Sequence, residues 1–234
     1  MHKLNIYDVG TISLIAVYLL FFVVLPYGST QENGFEIHDV YFENVGIVMV
    51  NFPTYHFGAG ENDYTIYENS DYYNIIHSQY YKSYSKSIST ALLEKNKQLG
   101  NCKLSDRQLF DSVISTIQHY HYVEGGDYIK NIKRTLISES GDCDELVLLA
   151  GGILYQMGYD VALIIYDPVF ENDWGHMQLG VNLGYDVEFN TIQGYIPIEL
   201  TSPVPIQDGY MDIYELTHER LKPTPTVIRY GAQQ

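Results

Sequence analysis

The sequence predicts an α+β domain carried behind one N-terminal membrane-spanning helix. Three stretches carry that reading: an uncharged apolar run from Val9 to Gln31, an apolar helix opened by the cysteine of "SGDCDE", and a strand-rich stretch that begins at Val161. The chain has 234 residues, 46% of them hydrophobic, which suffices for one ordinary domain with a real core plus an extension. Its formal net charge of -16 argues against nucleic acid or anionic lipid as a partner, since both call for clustered Lys and Arg.

The first element is the apolar run. Val9–Gln31 contains no charged residue, and its core Leu14–Leu25 is apolar throughout. A stretch of that length can cross a bilayer. Tyr27, Gly28 and Ser29 do not place two small residues around one cleavable bond, and Lys3 with the amino terminus stands against Asp8. The expectation is a retained signal anchor over residues 1–30, with a single membrane-crossing helix at residues 9–27. The rest of the chain is then extracytoplasmic, on a single-pass protein of the cell membrane.

Residues 31–103 form the first part of the domain. "FEIHDVYFENVGIVMVNF" mixes alternating and apolar runs and predicts one or two strands. Tyrosine is over-used, with 23 copies, many of them between Asn62 and Ser87. Such rings have bodies to bury and hydroxyls to keep wet, so the segment reads as an irregular, partly packed layer. A carbohydrate- or peptide-binding face is the lesser alternative. "SISTALLEKNKQL" then reads as helical.

Residues 104–234 carry the chemistry. "LSDRQLFDSVISTIQHY" repeats apolar residues at helical spacing behind a Ser105 cap. In the next helix Leu146, Leu149, Ala150, Ile153 and Met157 share one face, and Cys143 extends that face backwards. Asp142 is a good N-cap, Glu145 completes a capping-box pair, and Gly158 closes the helix. Cys143 is therefore the first helical residue, where free N–H groups and the macrodipole favour a thiolate. Its own amide points to where an oxyanion would form. Asp142, Asp144 and Glu145 oppose that thiolate, and the dipole offers only about 0.3–1 kcal/mol, so a cationic partner must supply the difference.

That partner lies in the strands that follow. Val161–Tyr166 and His176–Val181 read as two strands, "NLGYD" as a turn and "YIPIELT" as a return strand. In period two, His176, Gln178 and Gly180 share a face, and Glu199 and Thr201 alternate against Ile196, Ile198 and Leu200. Histidine and glutamate are thus in compatible phase for a cross-strand hydrogen bond. Asp186 and Glu188 are rivals for the acid. His119 and His121, with Asp127 near in sequence, could bind a metal only with further ligands, so a polar helix end is the better reading and no metal is expected. No phosphate loop, dinucleotide fingerprint or CxxC pair appears, so no cofactor is expected either. A Cys102–Cys143 disulfide is the competing structural reading, and it would remove the chemistry.

Cys143 in "GDCDE", His176 in "GHMQLGV" and an acid on the next strand resemble the transglutaminase-like branch of the papain-like cysteine hydrolases. More narrowly the chain is similar to archaeal transglutaminase-like membrane proteins, over roughly residues 104–212. "EFNTIQGYIPIELT" matches the acid motif of that group at Glu199 and Thr201, although Leu200 stands where it has threonine and transglutaminases proper use aspartate as the acid. The resemblance implies a papain/transglutaminase-like core, with the site helix packed on an antiparallel β-sheet. It implies a Cys143–His176–Glu199 triad and, by analogy with papain-like enzymes, an upstream oxyanion donor, for which Gln118 beside the Cys143 amide is the candidate. The activity it implies is thioester chemistry on peptide or carboxamide bonds, by hydrolysis or acyl transfer. Its substrate would be a protein or peptide, with the cell envelope as one source. Cys143 is accordingly expected to react with iodoacetamide faster than Cys102. The alternative is a non-catalytic binding module for peptide or glycan on the same fold.

Overall fold

The computed structural model describes residues 30–32, 34–54, 63–125, 128–168, 175–184, 191–202 and 224–231. Strands β1 (Thr30–Glu32), β2 (Phe35–Phe42) and β3 (Gly46–Pro53) form one antiparallel sheet in that order. Period-two alternation sends Val40, Phe42, Val48, Val50 and Phe52 inward and leaves Tyr41, Ile47 and Met49 exposed.

The tyrosine-rich segment is not an irregular layer. It forms helix α1 (Asn69–His77) and most of the first half of helix α2 (Gln79–Gln98). The two meet at Ser78, whose hydroxyl caps α2 by accepting the N–H of Tyr81. Tyr72, Ile75 and Ile76 face inward from α1, while Tyr81, Tyr84, Ile88 and Leu92 form a buried stripe at helical spacing on α2. That stripe packs against β3, with the rings of Phe52 and Tyr84 edge to face at 5.5 Å.

Helix α3 (Asp106–Gln118) starts at a full capping box between Ser105 and Gln108. A two-stranded antiparallel pair joins β4 (Tyr64–Thr65) to β6 (Tyr128–Ile129). A parallel pair joins β5 (His121–Tyr122) to β7 (Ser140–Gly141), on either side of the short helix α4 (Ile132–Ser138). Helix α5 (Cys143–Gln156) then runs through the centre of the domain and ends at Gly158, whose φ of 95° fits the left-handed C′ position. It contacts α2, α3, α4 and both long strands of the second sheet. Val147, Leu148 and Leu154 are as buried as Leu146, Leu149 and Ile153, so α5 is apolar on all sides rather than on one face.

The second sheet has the order β10-β9-β8-β11, every neighbour antiparallel: β8 (Asp160–Tyr166), β9 (His176–Asn182), β10 (Ile196–Ile198) and β11 (Thr226–Arg229). Among the described residues, one continuous hydrophobic cluster includes residues of the two larger sheets and of all five α-helices. It runs across residue 103, so the two parts divided there in the sequence reading share a core.

The predicted architecture and placement need correction. Among the described residues the chain is a mixed α/β structure of five α-helices and small sheets, and no helix is long and apolar enough to cross a membrane. The longest, α2, has 20 residues and carries Lys82, Lys86, Glu94, Lys95 and Lys97. The most apolar, α5, has 14 residues, about 21 Å against a hydrocarbon core of about 30 Å, and the domain covers it. Residues 9–27, on which the expectation fell, lie outside the described residues. The single-pass, extracytoplasmic placement therefore has no membrane-crossing helix among the described residues to rest on.

Two adjacent glycines, Gly151 and Gly152, sit inside α5. A Cβ on Gly152 would stand 2.4 Å from Ser85 Oγ and 2.8 Å from the Tyr81 hydroxyl. That hydroxyl is fixed, bonded to the Leu148 carbonyl at 2.6 Å and to Tyr230 at 2.7 Å. Gly to Ala in a helix ordinarily stabilises by about 0.5–1 kcal/mol, but overpacking costs about 1–3 kcal/mol. Gly152→Ala is expected to lower the melting temperature; a rise would show that α2 and α5 are not in contact here.

Candidate active site

The mouth of α5 is built by local chemistry. The Asp142 carboxylate accepts the Glu145 N–H at 3.0 Å, and Glu145 accepts the Asp142 N–H at 3.3 Å, which closes the capping box. Glu145 is buried and does not act on the thiol as an unpaired charge. It takes the Lys130 ammonium at 2.9 Å and the Lys130 backbone N–H at 2.7 Å. The β5–β7 pair brings the chain after α3 against this mouth, with the Val123 N–H on the Gly141 carbonyl at 3.0 Å. Gly125 is needed there for close approach: a Cβ would fall 1.7 Å from the Asp142 carboxylate.

Cys143 is partly buried and free, as is the exposed Cys102, so no disulfide joins them. The Cys143 thiol donates to Asp144 Oδ1 at 3.2 Å, and the other oxygen of Asp144 accepts the hydroxyl of Tyr72 from α1. Burial first, then the charges of Asp144 and Asp142, push the thiol well above its ordinary pKa, against the pull of the Met177 N–H. Burial pushes Asp142 itself up to about 6, with the charges of Asp144 and Glu145 adding to it. Burial raises the Asp144 carboxyl as well, against the bonds from Tyr72 and Cys143. The helix mouth is thus outweighed by burial first and by the neighbouring carboxylates second, because a terminal dipole is only a fraction of a charge. The ground for expecting Cys143 to outpace Cys102 is removed.

His176 opens β9 opposite Tyr166 of β8, and β10 lies along its other side in a register that pairs Ile198 with Leu179. Continued by one residue, that register sets Glu199 diagonal to His176, within side-chain reach. His176 Nε2 and Glu199 Oε2 are 2.9 Å apart. The other Glu199 oxygen accepts the Thr201 N–H at 2.7 Å and its hydroxyl at 2.5 Å. Burial alone would raise the Glu199 pKa; the bonds and charge from His176 and Thr201 prevail and hold it below the usual value, so it is ionised at neutral pH. With Nε2 committed to Glu199, Nδ1 is the histidine nitrogen left for chemistry in the cavity.

Cys143 and His176 line one cavity of about 520 Å³. The Met177 N–H, one residue past His176, points at the Cys143 sulfur, which ties the start of β9 to the mouth of α5. Glu68, Glu124, Asp142, Asp144 and Asp167 share the lining, and no Lys or Arg joins them among the described residues. Low-dielectric walls with one sign of charge favour a cationic occupant.

Gln118 lies elsewhere. It is buried, its amide donates to the Glu199 carbonyl at 2.8 Å, and it is not part of the cavity lining; it braces the backbone of the acid. Asp186, Glu188 and Asp127 lie outside the described residues. His119 bonds the Ser115 carbonyl at 2.7 Å, and no group of three or more metal-ligating side chains occurs among the described residues. Sequence reasoning missed Tyr72 and the Met177 N–H. Helical periodicity through Tyr72, Ile75 and Ile76 could have placed Tyr72 on an inner face, but not its contact with Asp144. Comparison with protein-family models, curated proteins and solved structures finds no match to this chain.

Proposed function

We propose that this chain is a transglutaminase-like cysteine enzyme that acts on peptide or carboxamide bonds through a thioester, with Cys143 as nucleophile, His176 as acid and base, and Glu199 as the orienting acid. The observation that carries the reading is the 2.9 Å bond from His176 to an ionised Glu199, on a histidine that shares its cavity with a cysteine at a helix mouth. In the reaction the thiol proton passes to His176 Nδ1 and the sulfur bonds to the substrate carbonyl carbon. The Cys143 amide at the helix terminus faces the oxyanion. The carbon–nitrogen bond then breaks, the proton returns to the leaving ammonia or amine, and water or a second amine resolves the thioester. Glu199 keeps the imidazole in the required tautomer and supports its charged form.

A second reading, a binding module for peptide or glycan, draws on the protonated thiol and on Tyr67, Tyr72 and Tyr122 in the cavity wall. The test uses the full chain with glutaminyl peptides, basic and acidic, and an amine dye. Acyl transfer requires a Cys143 adduct of peptide mass less ammonia, ammonia release, and a preference for basic peptides that weakens with salt. Saturable peptide binding with neither adduct nor ammonia would establish the module instead.

A further inference from the structure

Tyr72, Asp144 and Cys143 form a chain of hydrogen bonds that the proposed reaction does not use. Asp144 spends one carboxylate oxygen on the Tyr72 hydroxyl and the other on the Cys143 thiol. Tyr72 comes from α1, and its ring is buried, so the carboxylate is held from a second element rather than by its own helix alone. We propose that Asp144 is a carboxylate latch that keeps the Cys143 thiol protonated until the thiol turns to His176, and that the Tyr72 hydroxyl tempers this latch by drawing on the other carboxylate oxygen. This rests on the same cysteine–histidine site as the proposed function.

The proton balance is simple. At rest the S–H bond is intact and points at Asp144 Oδ1. On activation it turns away, the S–H bond breaks, an N–H bond forms on His176 Nδ1, and Glu199 steadies the new positive charge through Nε2. Asp144 touches the reacting atom, and Tyr72 acts through Asp144 by drawing part of its charge away from the thiol. A latched thiol is a poor nucleophile and a poor target for oxidants, so the site is protected when no substrate is bound.

The charged surroundings agree with this arrangement. On its own helix the sulfur meets Asp142 and Asp144, with Glu145 neutralised by Lys130. From other elements the phenols of Tyr72 and of Tyr122 on β5 lie close enough to feel its charge, and His176 on β9 lines the same cavity. Glu68, Glu124 and Asp167 line the same cavity. Apart from His176 every one of these is acidic or phenolic, and of them Asp144 is the one that bonds the thiol, whose sulfur also takes the Met177 N–H.

The two members of the latch make opposite predictions. Asp144→Asn removes a full negative charge from the thiol, so the pH midpoint of Cys143 alkylation should fall by about one unit, making alkylation at pH 7.5 about tenfold faster. Tyr72→Phe removes a donor from the carboxylate, which then holds the thiol proton more firmly. Its midpoint should rise by about half a unit, with alkylation about threefold slower. Iodoacetamide labelling of the full chain between about pH 7 and 12, followed by peptide mass spectrometry, reads both shifts, with Cys102 as internal control whose pH profile is the same in the parent and both variants.

Unchanged midpoints, or shifts of the same sign in both variants, overturn the latch. If Asp144→Asn does not fold, Tyr72→Phe decides alone, since it keeps the ring: an upward shift supports the latch, and none or a downward one overturns it. The readout needs no turnover. A chain that shows opposite shifts but no acyl transfer keeps the latch and loses the enzyme, whereas acyl transfer without the shifts does the reverse.

Discussion

Cys143→Ala and His176→Ala are each expected to bring acyl transfer to background, a loss of about 10⁴–10⁶-fold in kcat, whereas Glu199→Gln retains a measurable remnant. The first two remove the atoms that form and break bonds. Glutamine in place of Glu199 keeps an oxygen for the His176 ring N–H but loses the charge that supports the imidazolium. Its own N–H₂ group also competes with the two Thr201 donors, which now share one carboxylate oxygen. A loss of about 10²–10⁴-fold is the expected middle value. Steady-state kinetics of the three variants, each checked for folding by thermal melting, measures the gradient. Full activity in Cys143→Ala, or equal losses for Glu199→Gln and His176→Ala, would sink the assignment of roles. The stability that Glu199 adds also has a sign. Its folded pKa lies below its ordinary 4.5, so the contribution is full above that pH and is lost as pH falls through the folded value.

Glu145→Ala should be the most damaging single change for the fold. Glu145 is 4% exposed and answers three donors at once: the Lys130 ammonium, the Lys130 backbone N–H and the Asp142 N–H. Removing one partner of a buried ion pair costs about 3–5 kcal/mol, because the other charge is left without compensation. Lys130 is 26% exposed and can turn partly to water, which sets the expectation at the lower end, about 3 kcal/mol. Glu145→Gln keeps acceptors for the backbone donors and should lose less. Urea unfolding followed by fluorescence measures both; an alanine variant within about 1 kcal/mol of the parent would show that the mouth of α5 does not depend on this residue.

The sequence by itself determined the local features of the centre of this protein. A cap at Asp142, an acid three residues on and a glycine at 158 delimit α5 because capping is short-range chemistry within one turn. Apolar and β-branched runs mark β8 and β9, and period two alone puts His176 and Glu199 in a phase that permits their bond. The tyrosine-rich helices were less legible, because their buried stripe is made of rings with hydroxyls, which a polar-or-apolar reading scores as half wet. β11 gave little signal either: four residues become a strand only because β8 offers them an open edge.

Tertiary structure alone decided the state of the thiol. A helix mouth favours a thiolate in any sequence, but burial and the neighbour that touches the sulfur set the outcome, and neither is a local property. Tyr72 and Asp144 are 72 positions apart and meet because α1 lies across the cavity from the mouth of α5. Gln118, whose amide could have served an oxyanion, is instead drawn to the Glu199 carbonyl 81 positions away, because a buried carbonyl needs a donor. Pattern reaches across one turn or one pleat; the electrostatics of a cavity depend on which distant groups the core has brought to its wall.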